Sequence, residues 1–217
     1  MTPPDQHPDV AATIRNLGDR HLYLAGYRGS GKSTVGRVIA DQLGRPWIDL
    51  DDEIETTQGR SIRDIFADGG EATFRDLEEA ALASVAKESP AVVSLGGGAV
   101  LRDSNRRQIT ASGVCVWLQI DAQTVLSRLT SDSTTAERRP ALTTLPPRQE
   151  VESLLAMREP LYRQVADVRV DTVGRSLDDI VNDIFARLAH SAGGDRGAGA
   201  AGNDRGTGEA TSEPTVR

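Results

Sequence analysis

The chain has 217 residues, with 25 Lys+Arg against 32 Asp+Glu for a net charge of −7, and is 38% hydrophobic and 4% aromatic. This composition suits one globular domain, and the acidic balance with few aromatics argues against a general nucleic-acid binder, which needs a basic face and stacking platforms. The single cysteine, Cys115, rules out an intrachain disulfide framework and a multi-cysteine zinc site, and no apolar run approaches the ~20 residues that span a bilayer, so a cytoplasmic setting with no membrane partner is expected.

Residues 1–19 are largely polar and Pro-rich at their start, and 191–217 are almost entirely Gly, Ala, Ser, Thr, Asp, Glu and Arg. Neither segment is expected to bury enough apolar surface to offset its ordering entropy, so both are expected to be disordered tails around a folded core at about 20–190. Within that core, HLYLAG (21–26), PWIDL (46–50), AVVSLG (91–96), GVCVWLQI (113–120) and DVRVDT (167–172) read as strands. The first, third and fourth lack polar alternation, as parallel strands covered on both faces do. Between and after them lie STVGRVIADQL, a block from Asp51 to Lys87, SNRRQITA, AQTVLSRL, PRQEVESLLAMREPLYRQV and SLDDIVNDIFARLA, each with apolar residues three or four apart. Strand and helix in alternation predict a parallel α/β sheet with helices on both faces.

Between the first strand and the first core helix stands Gly26-Tyr27-Arg28-Gly29-Ser30-Gly31-Lys32-Ser33-Thr34, which fits G-x-x-x-x-G-K-[ST]. Glycines there let backbone N–H groups turn toward phosphate oxygens, and the helix N-terminus adds partial positive charge. Lys32 reaches the β and γ phosphates and the Ser33 hydroxyl can ligate Mg²⁺. Nucleotide binding follows, with Gly29, Ser30, Gly31, Lys32, Ser33 and Thr34 as its residues. No guanine-reading N/TKxD segment is present, which argues against a GTP switch.

The second strand runs into Asp49 and Asp51, two residues apart and therefore expected on one side of an extended strand, at the sheet edge beside the phosphate loop. One carboxylate would hold Mg²⁺ through water while the other accepts a proton from a substrate hydroxyl. Asp52 and Glu53 read as an acidic helix start. His7, His21 and His190 have no metal partner at ligand spacing and are expected at the surface; Trp47 and Trp117 are expected to fill the core, and Cys115 to be inert.

Further on come FRDLE (74–78), SLGGGAV (94–100), Arg138-Arg139-Pro140 and REPLY (158–162). The ordered set GxxGSGKST, DxD, FRxxE, SLGGGAV, RRP and RxPLY resembles the shikimate kinases, from about Leu22 to Arg175. The resemblance implies a P-loop kinase with a five-stranded parallel sheet of order 2-3-1-4-5 flanked by helices, a mobile lid at about 131–147, ATP and Mg²⁺, and phosphorylation of the 3-hydroxyl of shikimate in the route to aromatic amino acids by a monomer.

By the same resemblance, Asp51 binds the shikimate hydroxyls and acts as general base, Asp49 supports the metal with Ser33, and Arg75 and Arg158 clamp the carboxylate. Gly96, Gly97 and Gly98 line the acid site, and Glu78 orients Arg75. Arg139 joins Lys32 in catalysis by contacting ATP and the migrating phosphoryl, Arg175 lies beside the nucleotide and Arg128 stacks on adenine. The run from Arg128 to Arg139 is longer than is common in the family, and Ala141 replaces a usual Leu. A kinase for another small hydroxy acid, such as gluconate, and a non-catalytic nucleotide-binding regulator remain as alternatives.

Overall fold

The computed structural model describes residues 8–131 and 146–190. The expected lid centre, with Arg138 and Arg139, the first seven residues and the expected tail from 191 lie outside the described residues.

The elements follow in the order α1 (Pro8–Leu17), β1 (His21–Ala25), α2 (Lys32–Leu43), β2 (Trp47–Asp49), α3 (Leu50–Gln58), α4 (Ile62–Val85), β3 (Val92–Ser94), a 3₁₀ turn (Ala99–Leu101), α5 (Asp103–Ser112), β4 (Gly113–Gln119), α6 (Ala122–Ser131), α7 (Pro147–Val165), β5 (Val168–Asp171) and α8 (Leu177–His190). The five strands form one sheet in the order β2-β3-β1-β4-β5, and every adjacent pair is parallel. The register pairs Leu24 with Ser94, Ala25 with Trp117, Asp49 with Ser94 and Gln119 with Asp171. The carboxyl ends of all five strands therefore meet along one edge, where a parallel sheet places its ligands.

Alternation along the strands divides the core in two. Leu22, Leu24, Val92, Val114, Val116, Leu118, Val168 and Val170 face α1, α2 and α8, and their neighbours Tyr23, Ala25, Val93, Cys115 and Trp117 face α4, α5 and α7. Both sides of β1 and β4 are thus buried, which is why their sequences carry no polar alternation. Burial pushes the Cys115 thiol up to about 12, which removes the thiolate as a nucleophile. Among the described residues no helix is long and apolar enough to cross a membrane.

Three expectations change. The polar tail does not extend to residue 19: Pro8–Leu17 is helical, with Val10, Thr13 and Leu17 buried. It packs on α8, where Asn16 Nδ2 donates to the carbonyls of Leu188 (2.9 Å) and Ala189 (3.0 Å), groups that a helix C-terminus leaves without intrahelical partners. The three buried positions, three and four apart, form a stripe too short to stand out among polar neighbours. The second change is His21, which is 3% exposed rather than on the surface; its Nδ1 accepts from the Ala91 N–H (3.2 Å), and burial lowers its pKa. The third is that the block from Asp51 to Lys87 is two helices, and α4 breaks again at Gly70, whose φ of 70° and ψ of −173° leave the helical region.

The α1 contact is testable on its own. Leu17→Ala should cost about 2–5 kcal/mol in urea unfolding, the usual range for emptying a buried leucine site. A loss of a few tenths would show that α1 adds nothing to the folded core.

Candidate active site

The phosphate loop is the turn from β1 into α2. Gly29 and Gly31 take φ values of 77° and 93°, a left-handed backbone that only glycine adopts without strain, and Gly31 N-caps α2. Lys32, the first residue of α2, has its ammonium 2.9 Å from the carbonyls of both Gly26 and Tyr27, so it is already folded over the loop. The loop forms one wall of a cavity of about 620 Å³ that Ser33, Thr34, Arg128, Arg175 and Ile180 also line. Arg128 Nη1 donates to Gly29 O (2.8 Å) and its Nη2 to Thr172 O (3.3 Å), fastening the loop to the end of β5. Arg175 donates to Asp183 Oδ2 and to Asp179 O, each at 2.8 Å. All the expected nucleotide residues within the described chain therefore line or border one hollow.

Next along the edge is the β2–α3 junction. The strand ends at Asp49 and the helix begins at Leu50, so Asp51 sits in the first helical turn and not one pleat along the strand as expected. Asp49 instead N-caps α3: Oδ1 accepts from the Asp51 N–H (3.1 Å) while Oδ2 accepts from the Ser33 hydroxyl (2.7 Å). The two residues sought as a metal pair are thus in direct contact. Burial, reinforced by the charge of Asp51, raises the Asp49 pKa, so this corner is short of positive charge.

The glycine run after β3 brings in the two arginines. Gly97 O accepts from Arg158 Nη1 (3.1 Å) and from the Tyr162 hydroxyl (2.6 Å), both on α7. A Cβ on Gly97 would stand 3.4 Å from the Arg28 N and 3.8 Å from Arg158 Nη1, and one on Gly98 would overlap the Arg75 guanidinium. A side chain at 97 would meet its neighbours at ordinary contact distance, whereas one at 98 would displace the Arg75 guanidinium that Glu78 and Glu71 hold in place. Asp51 belongs to the same edge, since Asp49 pairs with Ser94, two residues before Gly96.

Arg75 is 8% exposed and Arg158 is 5% exposed. Arg75 Nη1 donates to Glu78 Oε2 (2.7 Å), while Nε and Nη2 reach Glu71 Oε1 (3.2 and 3.0 Å). Burial works against the charge of Arg75, but the Glu78 and Glu71 carboxylates outweigh it and raise its pKa. Glu78 is fully buried and holds the guanidinium from behind. Four participants were not singled out from sequence: Tyr27 and Arg28 within the phosphate loop, Glu71, and Glu150, which is 3% exposed and accepts from Arg28 Nη2 (3.1 Å). A signal for Glu150 existed in the spacing 150, 154, 158, which places a carboxylate on the buried stripe of α7 with Leu154 and Arg158.

A family model described as shikimate kinase matches residues 28–189. The chain belongs to the shikimate kinase family. A shikimate kinase of Rhodopirellula baltica is 49% identical over 174 residues, 80% of this chain and 93% of the relative, and one of Pseudomonas fluorescens is 41% identical over 170 residues, 78% of this chain and 96% of the relative. Among solved structures, the shikimate kinase from Acinetobacter baumannii in complex with shikimate aligns with a TM-score of 0.73 and 34% identity, covering 80% of this chain and 94% of that one. Membership of the shikimate kinase family makes the chain a P-loop transferase with ATP as its co-substrate, and the gluconate and non-catalytic alternatives are not favoured.

The Arg75–Glu78 pair predicts a stability defect in this family member. Glu78→Ala removes the buried partner of Arg75 Nη1, leaving only the half-exposed Glu71 on Nε and Nη2, and should cost about 3 kcal/mol. Replacing both with apolar residues, as in Arg75→Met with Glu78→Leu, should recover much of that loss; unfolding curves in which the double variant is as weak as Glu78→Ala would mean that packing, not charge, sets the penalty.

Proposed function

We propose that the chain catalyses transfer of the γ-phosphoryl of ATP to the 3-hydroxyl of shikimate, yielding ADP and shikimate 3-phosphate for the route to aromatic amino acids. The observation that supports this most is the convergence of Arg75 and Arg158 on the glycine loop, one residue's width from the phosphate loop. Two guanidinium groups suit a carboxylate, which a planar fork can grip bidentately. The phosphate loop suits the triphosphate. A half-buried aspartate, Asp51, at a helix start on the same sheet edge, completes the set.

In this reading the shikimate carboxylate lies against Arg75 and Arg158, and the ring hydroxyls face Asp51 and the Gly96-Gly97-Gly98 backbone. Asp51 accepts the 3-hydroxyl proton as that oxygen bonds to the γ phosphorus, and the bond to the β–γ bridging oxygen breaks toward ADP. Lys32, poised over the loop, shifts from carbonyl oxygens to the β and γ phosphates. Arg139, which the sequence places in the lid, stabilises the moving charge from the other side. Arg175 and Arg128 border the nucleoside end of the cavity.

Ser33 and Asp49 fit a Mg²⁺ ion, with the hydroxyl as direct ligand and the carboxylate acting through water. The buried Asp49 carboxylate, in contact with Ser33 and crowded by the negative charge of Asp51, is the chemistry a hard cation relieves. Among the described residues no cluster of three His, Cys, Asp or Glu could cage a metal, which agrees with an ion shared with phosphates. When bound, Mg²⁺ supplies charge neutralisation across the β and γ oxygens. The reading also includes a cytoplasmic setting and action as a monomer.

The division of labour separates two variants in an assay with Mg-ATP and either shikimate or gluconate. Arg75→Ala removes a charge-assisted contact of ~1.5–3 kcal/mol and should raise KM for shikimate roughly ten- to a hundredfold. Asp51→Asn should act chiefly on kcat, by about a hundredfold or more. Turnover of gluconate without turnover of shikimate would overturn the proposal.

A further inference from the structure

The phosphate loop carries a guanidinium that the transfer scheme above does not use. Arg28 follows Tyr27, and its backbone N is the atom nearest to a Cβ built on Gly97, so it forms the partition between the loop that holds the triphosphate and the loop that holds the acid. Its side chain reaches α7, the helix that also carries Arg158. The Arg28 guanidinium lies 5.7 Å from the centre of the Tyr27 ring, and the Arg158 guanidinium lies 5.5 Å from the centre of the same ring. Lys32 rests on the Gly26 and Tyr27 carbonyls immediately before it. Arg28 therefore shares the Tyr27 ring with the cation that meets the carboxylate and the phosphate loop with the cation that meets the γ phosphate.

What restrains it is Glu150. This carboxylate comes from the first turn of α7, 122 residues away, and is almost fully buried. A buried ion pair is a weak source of stability, since desolvating both charges consumes most of the attraction. The pair nevertheless fixes where Arg28 points and cancels its charge. The same buried stripe of α7 continues through Leu154 to Arg158 and Tyr162, both of which bind Gly97 O. One rigid helix thus sets both guanidinium groups that flank Tyr27.

We propose that Arg28 is a third cation of the acceptor site, touching the phosphoryl group once it has moved to the acid, and that Glu150 is the positioning residue that holds Arg28 back so that the phosphorylated acid is released. The acid substrate carries one carboxylate, whereas its product carries in addition a dianionic phosphate at the junction where Arg28 stands. A fully available guanidinium there would discriminate in favour of product and trap it. Pairing with Glu150 lowers that preference while leaving the hydrogen-bonding fork in reach.

The inference rests on the shikimate reading, and product inhibition tests it separately from that reading. Inhibition constants for shikimate 3-phosphate are measured in the full-length enzyme with saturating Mg-ATP, alongside KM for shikimate. Glu150→Gln, nearly isosteric, should tighten inhibition by about tenfold, the worth of one charge-assisted contact, and Arg28→Met should weaken it by a similar factor. The double variant should follow Arg28→Met. General damage to the site shifts both single variants in the same direction, so opposite signs are the diagnostic result. Shifts of the same sign, or an unmoved constant in either variant, overturn the inference. Should Glu150→Gln fail to fold by thermal melting, Glu150→Asp keeps the charge one methylene further away and should give an intermediate tightening. An unchanged shikimate KM in Arg75→Ala would instead strike at the acid site itself.

Discussion

The site depends on how closely the turn after β3 approaches the phosphate loop. The turn after β3 lies against the phosphate loop and Arg158 at Gly97 and against the Arg75 guanidinium at Gly98, where a side chain would displace that group. The approach of Gly97 to the main chain of Gly26 and Arg28 sets the distance between a triphosphate and a small acid, and main-chain atoms cannot rotate away as side chains do. Positioning of this kind is the larger part of phosphoryl-transfer catalysis, because the protein performs little covalent chemistry of its own. The parallel sheet supplies the frame, since its register brings the ends of β1, β2 and β3 level and carries the phosphate loop, Asp49 and the glycine run on adjacent strands.

Burial of charge is the second theme. Arg75, Arg158, Glu78 and Glu150 are each less than a tenth exposed, a costly arrangement for a domain whose total stability is on the order of 5–15 kcal/mol. The cost is contained by pairing, with Glu78 behind Arg75 and Glu150 behind Arg28. Pairing also fixes orientation, which an isolated arginine on a long flexible stem lacks. The core beneath is apolar on both sheet faces, and the buried arginines and glutamates stand outside it.

Much of this was legible in the sequence because the relevant signals are local. The phosphate loop is a contiguous pattern between a strand and a helix, and the five strands are short apolar runs with clear breaks. The sheet order came only with the family resemblance, since parallel pairing joins segments that share no local signal. Glu78 lies three residues from Arg75 on one helix, so their contact follows from helical spacing. Arg28 with Glu150 and Gly97 with Tyr162 are separated by 122 and 65 residues, and no periodicity connects them. Asp49 shows a subtler limit. Its spacing from Asp51 suggested strand alternation, but its better role is as a helix cap, and a cap ends the strand one residue early. The α1 helix escaped notice because its apolar residues gain meaning only against α8, from the far end of the chain.

The central claim is spatial: one small acid lies between Asp51, Arg75, Arg158 and the glycine loop, facing a nucleotide on the phosphate loop. A crystal structure of the full chain soaked with Mg-ADP and shikimate examines it directly. The account predicts the shikimate carboxylate against both Arg75 and Arg158, and one ring hydroxyl within about 3.2 Å of an Asp51 oxygen, on the side of the β phosphate. Shikimate bound elsewhere, or bound there with Asp51 out of reach of every hydroxyl, would contradict it.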